Sequence, residues 1–304
     1  MTHLHIDTDM GVDDGLALLY ADRLGDLHAL STVFGNVPVD RATRNAQIFR
    51  DLLGRQQTLT IHEGADRASD GFRADAHHAH GDDGLGGATK LLEPVLVARA
   101  AQSPVQPFDG AVPNLPGPVT LIGIGPATNI PRLAAAYGRA LERIVLMAGA
   151  FYDVGNITPT AEFNAYCDPS ALQATLALGV PVTLVPLDVC RKLQLSRATV
   201  RAYETVEDSA LMRLIVGAHM PYMDFYREAE GIDGCFPHDA LAVLVALAPA
   251  RFFHVRGRVT VDCSPTSRGR TTVAPGPSHV DIVTGGALKW ARELLSRPPQ
   301  RRGP

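Results

Sequence analysis

Residues 5–21 read HIDTDMGVDDGLALLYA, with Asp7, Asp9, Asp13 and Asp14 inside eight positions. An apolar strand-like piece leads into the cluster and an apolar helix-like piece leads out, with Gly11 at the turn between them. This is the pattern of a strand-to-helix unit whose acids crowd the carboxyl end of the strand. Carboxylates this close repel one another. Holding them unpaired in a partly buried place costs several kcal/mol or forces protonation. Something has to draw them together.

The strand–helix alternation continues outward from this stretch. The runs at 30–36 (LSTVFGN), 58–64 (TLTIHEG), 119–125 (VTLIGIG), 143–149 (RIVLMAG) and 180–188 (VPVTLVPLD) read as buried parallel strands. Helical stretches at 14–24, 40–53, 127–137 and 169–178 separate them, with Asp40 and Asp168 placed as N-caps and Gly138 and Gly179 as C-caps. The expected fold is α/β, a mostly parallel, Rossmann-like central sheet with helices on both faces, in one domain over 1–304. After Pro249 the pattern changes to FHVRGRVTVDC, RGRTTVA and HVDIV, expected as a small antiparallel C-terminal appendage before a last helix at 288–295. The polar connection 66–87 is long enough for a mobile flap, the Pro-rich 103–116 reads as a surface linker, and 297–304 as a flexible tail. Ligands of such sheets bind beyond the carboxyl ends of the strands. That places the chemistry in DTDMGVDD, FGNV, IGIGPATN and MAGAFYDVGN.

Composition narrows the class. A net charge of −4 over 304 residues gives no support to a nucleic-acid or membrane-surface role. Cys167, Cys190, Cys235 and Cys263 are scattered without a C-x-x-C pair, which suits reduced thiols in a cytoplasm better than a disulfide frame or a zinc site. The acidic cluster sits where the apolar core of a signal peptide would have to be. The run ALAVLVALAPARFF is broken by Pro249 and Arg251, so no membrane span is expected.

Three uses of the acidic cluster compete. Decoration of a helix N-terminus contributes at most about 1 kcal/mol per residue, and it explains Asp13 and Asp14 but not Asp7 and Asp9. A haloacid-dehalogenase-like phosphatase would use Asp7 as nucleophile and Asp9 as acid with Mg²⁺. That scheme wants Thr or Val where Gly11 stands, and a later acidic pair that is missing. The third use is a hard divalent cation. Ca²⁺ takes six to eight oxygens at about 2.3–2.6 Å, and its charge offsets the repulsion. Gly11 lets the chain turn sharply enough for Asp9 and Asp14 to converge on one ion.

DTDMGVDD at 7–14 resembles the D-T-D-P-G-x-D-D fingerprint of the inosine–uridine-preferring nucleoside hydrolases. FGNV (34–37), HGDDGLG (80–86), GPATNI (125–130), GNITPTAEFNAYCDPSA (155–171) and HDALA (238–242) follow in the family's order. One such motif is weak; six in order across most of the chain are specific. Met10 departs from the usual proline, with a loss of turn rigidity but of no ligand, and Cys190 stands where Thr is common. The resemblance implies calcium-dependent hydrolysis of the N-glycosidic bond of a ribonucleoside to free base and ribose. In that scheme Asp9, Asp14, Asp239 and the main-chain carbonyl of Ile124 bind Ca²⁺, and Asp9 is the base for a metal-bound water. Asp13 holds the ribose 2′- and 3′-hydroxyls with Asn164 beside it, Asn156 and Glu162 hold the 5′-hydroxyl, and Asn36 and Met147 line the sugar pocket. His238, next to Asp239, is the acid for the leaving base, and His80 reaches the base from the flap. His77 and His78 read as solvated. Tyr222 and Tyr226, at i, i+4 on one helical face, either pack in the core or stack on the base. Trp290, in the last helix, is a poor stacking candidate. A non-catalytic calcium and pentoside binder is the alternative outcome of the same residues. The resemblance also implies a homodimer or homotetramer.

Overall fold

Seven short runs lie side by side in one direction: β1 (His3–Thr8), β2 (Leu27–Thr32), β3 (Thr60–Glu63), β4 (Gln106–Pro107), β5 (Val119–Gly123), β6 (Leu141–Met147) and β7 (Val182–Val185). The computed structural model describes residues 2–108, 112–113, 115 and 117–300. Parts of the expected linker and tail, 109–111, 114, 116 and 301–304, therefore lie outside the described residues. The later strands are β8 (Leu195–Ser196), β9 (Gly234–Cys235), β10 (Phe252–Arg256), β11 (Arg258–Val261), β12 (Thr271–Ala274) and β13 (Val280–Gly286). The main sheet runs β10-β13-β7-β6-β5-β1-β2-β3-β4, and only the edge strand β10 is antiparallel to its neighbour.

Strand order decides where a ligand can sit. The chain works outward from β1 to β4, returns to lay β5 against the other side of β1, then works outward again to β7. The reversal lies between β1 and β5, and the crevice of such a sheet opens at the carboxyl ends of the strands flanking it. Those ends are Thr8–Asp9 and Gly123–Ile124. The strands have a period of two even where the sequence is continuously apolar. Leu121, Ile144, Leu146 and Leu184 join the core on one face, while Ile6, Ile122, Val145 and Val185 join the core on the other.

The helices are α1 (Val12–Leu24), α2 (Val39–Leu52), α3 (His77–His80), α4 (Pro94–Ala101), α5 (Ile130–Tyr137), α6 (Phe163–Cys167), α7 (Pro169–Leu176), α8 (Leu187–Cys190), α9 (Arg197–Val206), α10 (Ala210–Glu230), α11 (His238–Leu247) and α12 (Leu288–Leu294). α1 is buried almost all round, because α10 and α11 pack over it and close it against the sheet. Asp40 is not an N-cap: α2 begins one residue earlier, flanked by Pro38, so Asp40 lies exposed in its first turn. Asp168 does cap α7, accepting from Ala171 N at 3.0 Å. The same carboxylate accepts from Ser69 and Thr128, which ties the start of the 66–87 connection to the body. Gly138 ends α5 at φ +53°.

The C-terminal appendage is smaller than the sequence suggests. Of the strands after Pro249, only β11 and β12 pair as a separate antiparallel sheet, while β13 runs parallel to β7 and carries β10 on its edge. Val280, Ile282 and Val283 are buried on the two faces, so burial draws this strand into the main sheet. Beyond the last helix, the Arg297 and Pro299 carbonyls accept from Tyr20 and Arg23 near the start of the chain. Among the described residues no helix is long and apolar enough to cross a membrane. Cys167, Cys190 and Cys235 are buried free thiols, and Cys263 is an exposed one.

Candidate active site

β1 ends at Thr8, and the chain turns through Asp9, Met10 and Gly11 into α1. Only glycine fits at the turn: a Cβ on Gly11 would lie 2.4 Å from Asn36 Nδ2 and 2.6 Å from His80 Nδ1. The Gly11 N–H donates to Asp14 Oδ2 at 2.8 Å, and the Thr8 hydroxyl donates to Asp14 Oδ1. Asn36, just past β2, donates its backbone N–H (2.8 Å) and its amide (3.0 Å) to the two oxygens of Asp9. Asp239 enters from the first turn of α11. Asp13, Asp14 and Asp239 then bring one oxygen each within 4.8 Å of one another. Asp9 stands one step behind this triad, held by Asn36 and repelled by Asp14 and Asp13.

All four carboxylates are buried. Burial first, and mutual repulsion second, push Asp9, Asp13 and Asp239 above the ordinary carboxylate range, Asp13 to about 8. Burial also raises Asp14. None of the ion pairs found among the described residues involves any of the four, so no Arg or Lys neutralises them. The set offers hard oxygen donors without imidazole or thiolate, which fits a hard divalent cation and not zinc. The buried Ile124 carbonyl lies at the end of β5. It accepts from Asn164 Nδ2 at 3.1 Å and keeps a second lone pair.

Met10 does more at this turn than the sequence implies. It takes a left-handed conformation, φ +49°, and its N–H donates to Thr8 Oγ1 at 3.1 Å. The Thr8 hydroxyl hydrogen is thereby left to point at Asp14. A proline allows neither the positive φ nor the donor. Installing the family's usual residue, Met10→Pro, is therefore expected to destabilise the fold by about 3 kcal/mol. Urea unfolding measures this, and a Met10→Pro protein as stable as the wild type would show that the turn has another conformation in solution.

Above the acidic floor opens a cavity of ≈ 600 Å³. Asp13, Asn36, His80, Ile124, Met147, Asn156, Glu162, Asn164, Tyr222, Tyr226, His238 and Asp239 all line it, whereas Asp9 and Asp14 lie beneath. One wall is polar. Glu162 caps α6 by accepting from Asn164 N (2.7 Å), Ala165 N (2.9 Å) and Gly149 N (3.0 Å), and burial raises its pKa. Asn164 commits its amide hydrogens to the Ile124 and Met147 carbonyls, leaving Oδ1 for a ligand. Asn156 Oδ1 accepts from Phe163 N at 2.8 Å, leaving its NH₂.

The facing wall is aromatic. Tyr222 and Tyr226 meet edge-on with centroids 5.0 Å apart, and His80 lies tilted against Tyr222 at 4.9 Å. The two tyrosines are both core residues and cavity wall, so the two sequence readings do not exclude each other. Tyr226 OH is 2.9 Å from His238 Nε2. Val12 N donates to His80 Nδ1 at 3.0 Å, which leaves the neutral ring's proton on Nε2. Burial lowers both His80 and His238 to about 3, aided at His238 by the Arg191 guanidinium, so both rings are neutral near pH 7.

Asp7 accepts from Ser31 and from Asn129 (2.9 Å), is fully buried and lies off the cavity wall. The phosphatase scheme thus has no reachable nucleophile. His78 is exposed but lines the mouth, 5.6 Å from Phe225. Trp290 packs on Phe252 and under Arg251, away from the cavity. Phe225, Asp153, Arg191 and Glu230 line the cavity and were missed. Phe225 was findable at i+3 from Tyr222 and Asp153 from its place in the strand tail MAGAFYDVGN; Arg191 and Glu230 carry no local signal.

The sequence model of the family described as inosine-uridine preferring nucleoside hydrolase matches residues 4–291. Uridine nucleosidase 1 of Arabidopsis thaliana is 30% identical over 278 residues, covering 90% of this chain and 82% of that protein. Among solved structures, a plant nucleoside hydrolase superposes with a TM-score of 0.84 at 25% identity, over 97% of this chain and 98% of that one. A purine-preferring ribonucleoside hydrolase from Gardnerella vaginalis gives a TM-score of 0.82 at 25% identity, over 97% of each chain.

Proposed function

This chain belongs to the inosine-uridine preferring nucleoside hydrolase family, and we propose that it hydrolyses the N-glycosidic bond of ribonucleosides to free base and ribose, with Ca²⁺ as its metal. The observation that carries this reading is a floor of four buried carboxylates without a protein cation, directly under a cavity with one polar and one aromatic wall. Asp9, Asp14, Asp239 and the Ile124 carbonyl would hold the ion, which supplies positive charge for binding sugar hydroxyls and acidifying water. Asp13, whose oxygen joins that of Asp14 and Asp239, takes the 2′- and 3′-hydroxyls, with Asn164 Oδ1 beside it. The NH₂ of Asn156 and the Glu162 carboxylate take the 5′-hydroxyl, while Asn36 and Met147 close the sugar pocket.

As the bond to C1′ breaks, the ring gains cationic character that the surrounding carboxylates favour. Asp9, oriented by both donors of Asn36, takes the proton of the attacking water. The base lies against Tyr222, Tyr226 and His80. His238, hydrogen-bonded to Tyr226 and neutral in the free protein, is the acid for it in its protonated form, taking up a proton from solvent as the substrate binds. A cytoplasmic home is supported by the three buried unpaired thiols, and a homodimer or homotetramer by the family resemblance.

A panel of the common ribonucleosides, followed by released ribose in the presence of Ca²⁺, tests the reading and assigns the base. Binding without any turnover would overturn it in favour of a non-catalytic pentoside binder. His238→Ala is expected to slow nucleosides by about 10²–10⁴-fold and p-nitrophenyl riboside far less, because that leaving group needs little protonation. Equal losses on both substrates would take His238 out of leaving-group chemistry.

A further inference from the structure

We propose that Arg191 is a positioning residue that clasps the mouth of the cavity and so sets the grip on the substrate's 5′ end; this rests on the nucleoside hydrolase reading. Arg191 directly follows α8, and its side chain is only 17% exposed. Nη1 donates to the Val154 carbonyl at 2.6 Å, and Nη2 approaches the Gly155 carbonyl at 3.5 Å. The same guanidinium lies 3.2 Å from the Asp153 carboxylate and 3.8 Å from that of Glu230. One planar fork thus joins two walls. Asp153, Val154 and Gly155 lead straight into Asn156 on the sugar side, and Glu230 ends the helix that carries Tyr222 and Tyr226 on the base side.

The loop needs this fastening. Tyr152, Val154 and Ile157 are 79%, 60% and 39% exposed, so its apolar side chains contribute little packing. Beyond Tyr152, its backbone bonds run to its own turn: Gly155 N to Pro159 O, and Asn156 N and Ile157 N to Ala161 O. Without the guanidinium, Asp153 and Glu230 would also face each other as like charges across the mouth, an arrangement that favours opening. Lysine restores the charge but not the fork, since an ammonium is a point donor on a flexible stem.

The test compares wild type, Arg191→Ala and Arg191→Lys on a ribonucleoside and on its 5′-deoxy analogue. For the ribonucleoside, Arg191→Ala is expected to raise KM about 10- to 100-fold, the signature of lost ground-state grip, while any change in kcat, which follows the loss of the guanidinium's charge near His238, should be the same on the 5′-deoxy analogue. For the 5′-deoxy analogue the KM increase should shrink to about threefold or less, because the hydroxyl that the loop positions is absent. Arg191→Lys should stay close to Arg191→Ala. Equal KM increases on both substrates, or an unchanged KM, overturn the clasp, as does a full rescue by lysine. A lowered melting point together with equal KM increases would mean a merely structural role. The same ratio read as Kd by calorimetry makes the result independent of turnover. Failure of wild type to release ribose therefore strikes the parent reading alone.

Discussion

Asp14→Ala and Asp239→Ala proteins are expected to purify without their divalent ion and with kcat/KM lowered about 10³-fold or more. Each removes a buried carboxylate from the floor, and a bound cation of this kind is worth several kcal/mol of charge stabilisation, at about 1.4 kcal/mol per tenfold in rate. Metal analysis and turnover are the first readouts, and full activity in chelator would sink the assignment. Stability offers a second readout with an unusual sign. In chelator the wild type must hold four buried acids that lack a cation, so Asp239→Asn, which removes one, should melt higher than wild type. In excess Ca²⁺ the order should reverse, since an ion at 100 times its Kd stabilises the protein that binds it by about 2.7 kcal/mol. A plain structural role for Asp239 predicts the same order in both conditions. Asp14→Ala is less clean, because Asp14 also accepts from Gly11 N and Thr8.

A 2′-deoxyribonucleoside should be cleaved about 10⁴-fold less efficiently than the ribonucleoside, equivalent to about 5–6 kcal/mol. Asp13 is 5% exposed, at the boundary between floor and cavity. Deleting one hydroxyl of the diol would leave that carboxylate unpaired in a closed pocket, a penalty that a lost apolar contact of about 1–3 kcal/mol cannot match. Asp13→Ala should lower both rates and narrow the gap between them, because the group that reads the hydroxyl is gone. The measurement is kcat/KM for the two nucleosides in both proteins. A wild-type ratio below about tenfold would remove the diol as the principal handle.

Much of this architecture is legible before folding, for local reasons. Apolar runs of strand length alternate with helical stretches, and that alternation admits few topologies besides a parallel sheet covered on both faces. The misjudged details share one cause. Val280–Gly286 looks like part of an appendage because β-propensity does not say which neighbour a strand will choose; β7 offers it two buried faces. Asp40 looks like a cap because capping residues are common near helix starts, yet Pro38 already sets the entry.

At the site, the residues within one motif were readable and the contacts between motifs were not. The sequence by itself determined the donor chemistry: four acids and a glycine turn at one strand end, amides and a glutamate in another block, a His–Asp pair opening a helix. Proximity across the chain was decided only by the tertiary structure. The oxygens of Asp13 and Asp14 meet that of Asp239, more than two hundred residues away, because α11 packs on α1. Asp7, alike in sequence to Asp9, still belongs to β1 and is held off the cavity by Ser31 and Asn129, whereas Asp9 lies past the strand's end, where the turn into α1 re-aims it. Arg191 reaches Glu230 across the mouth through a contact that no spacing encodes. Local pattern fixes which groups a segment can offer. Which groups share a cavity depends on strand order and helix packing, and these emerge only when both faces of the sheet are buried together.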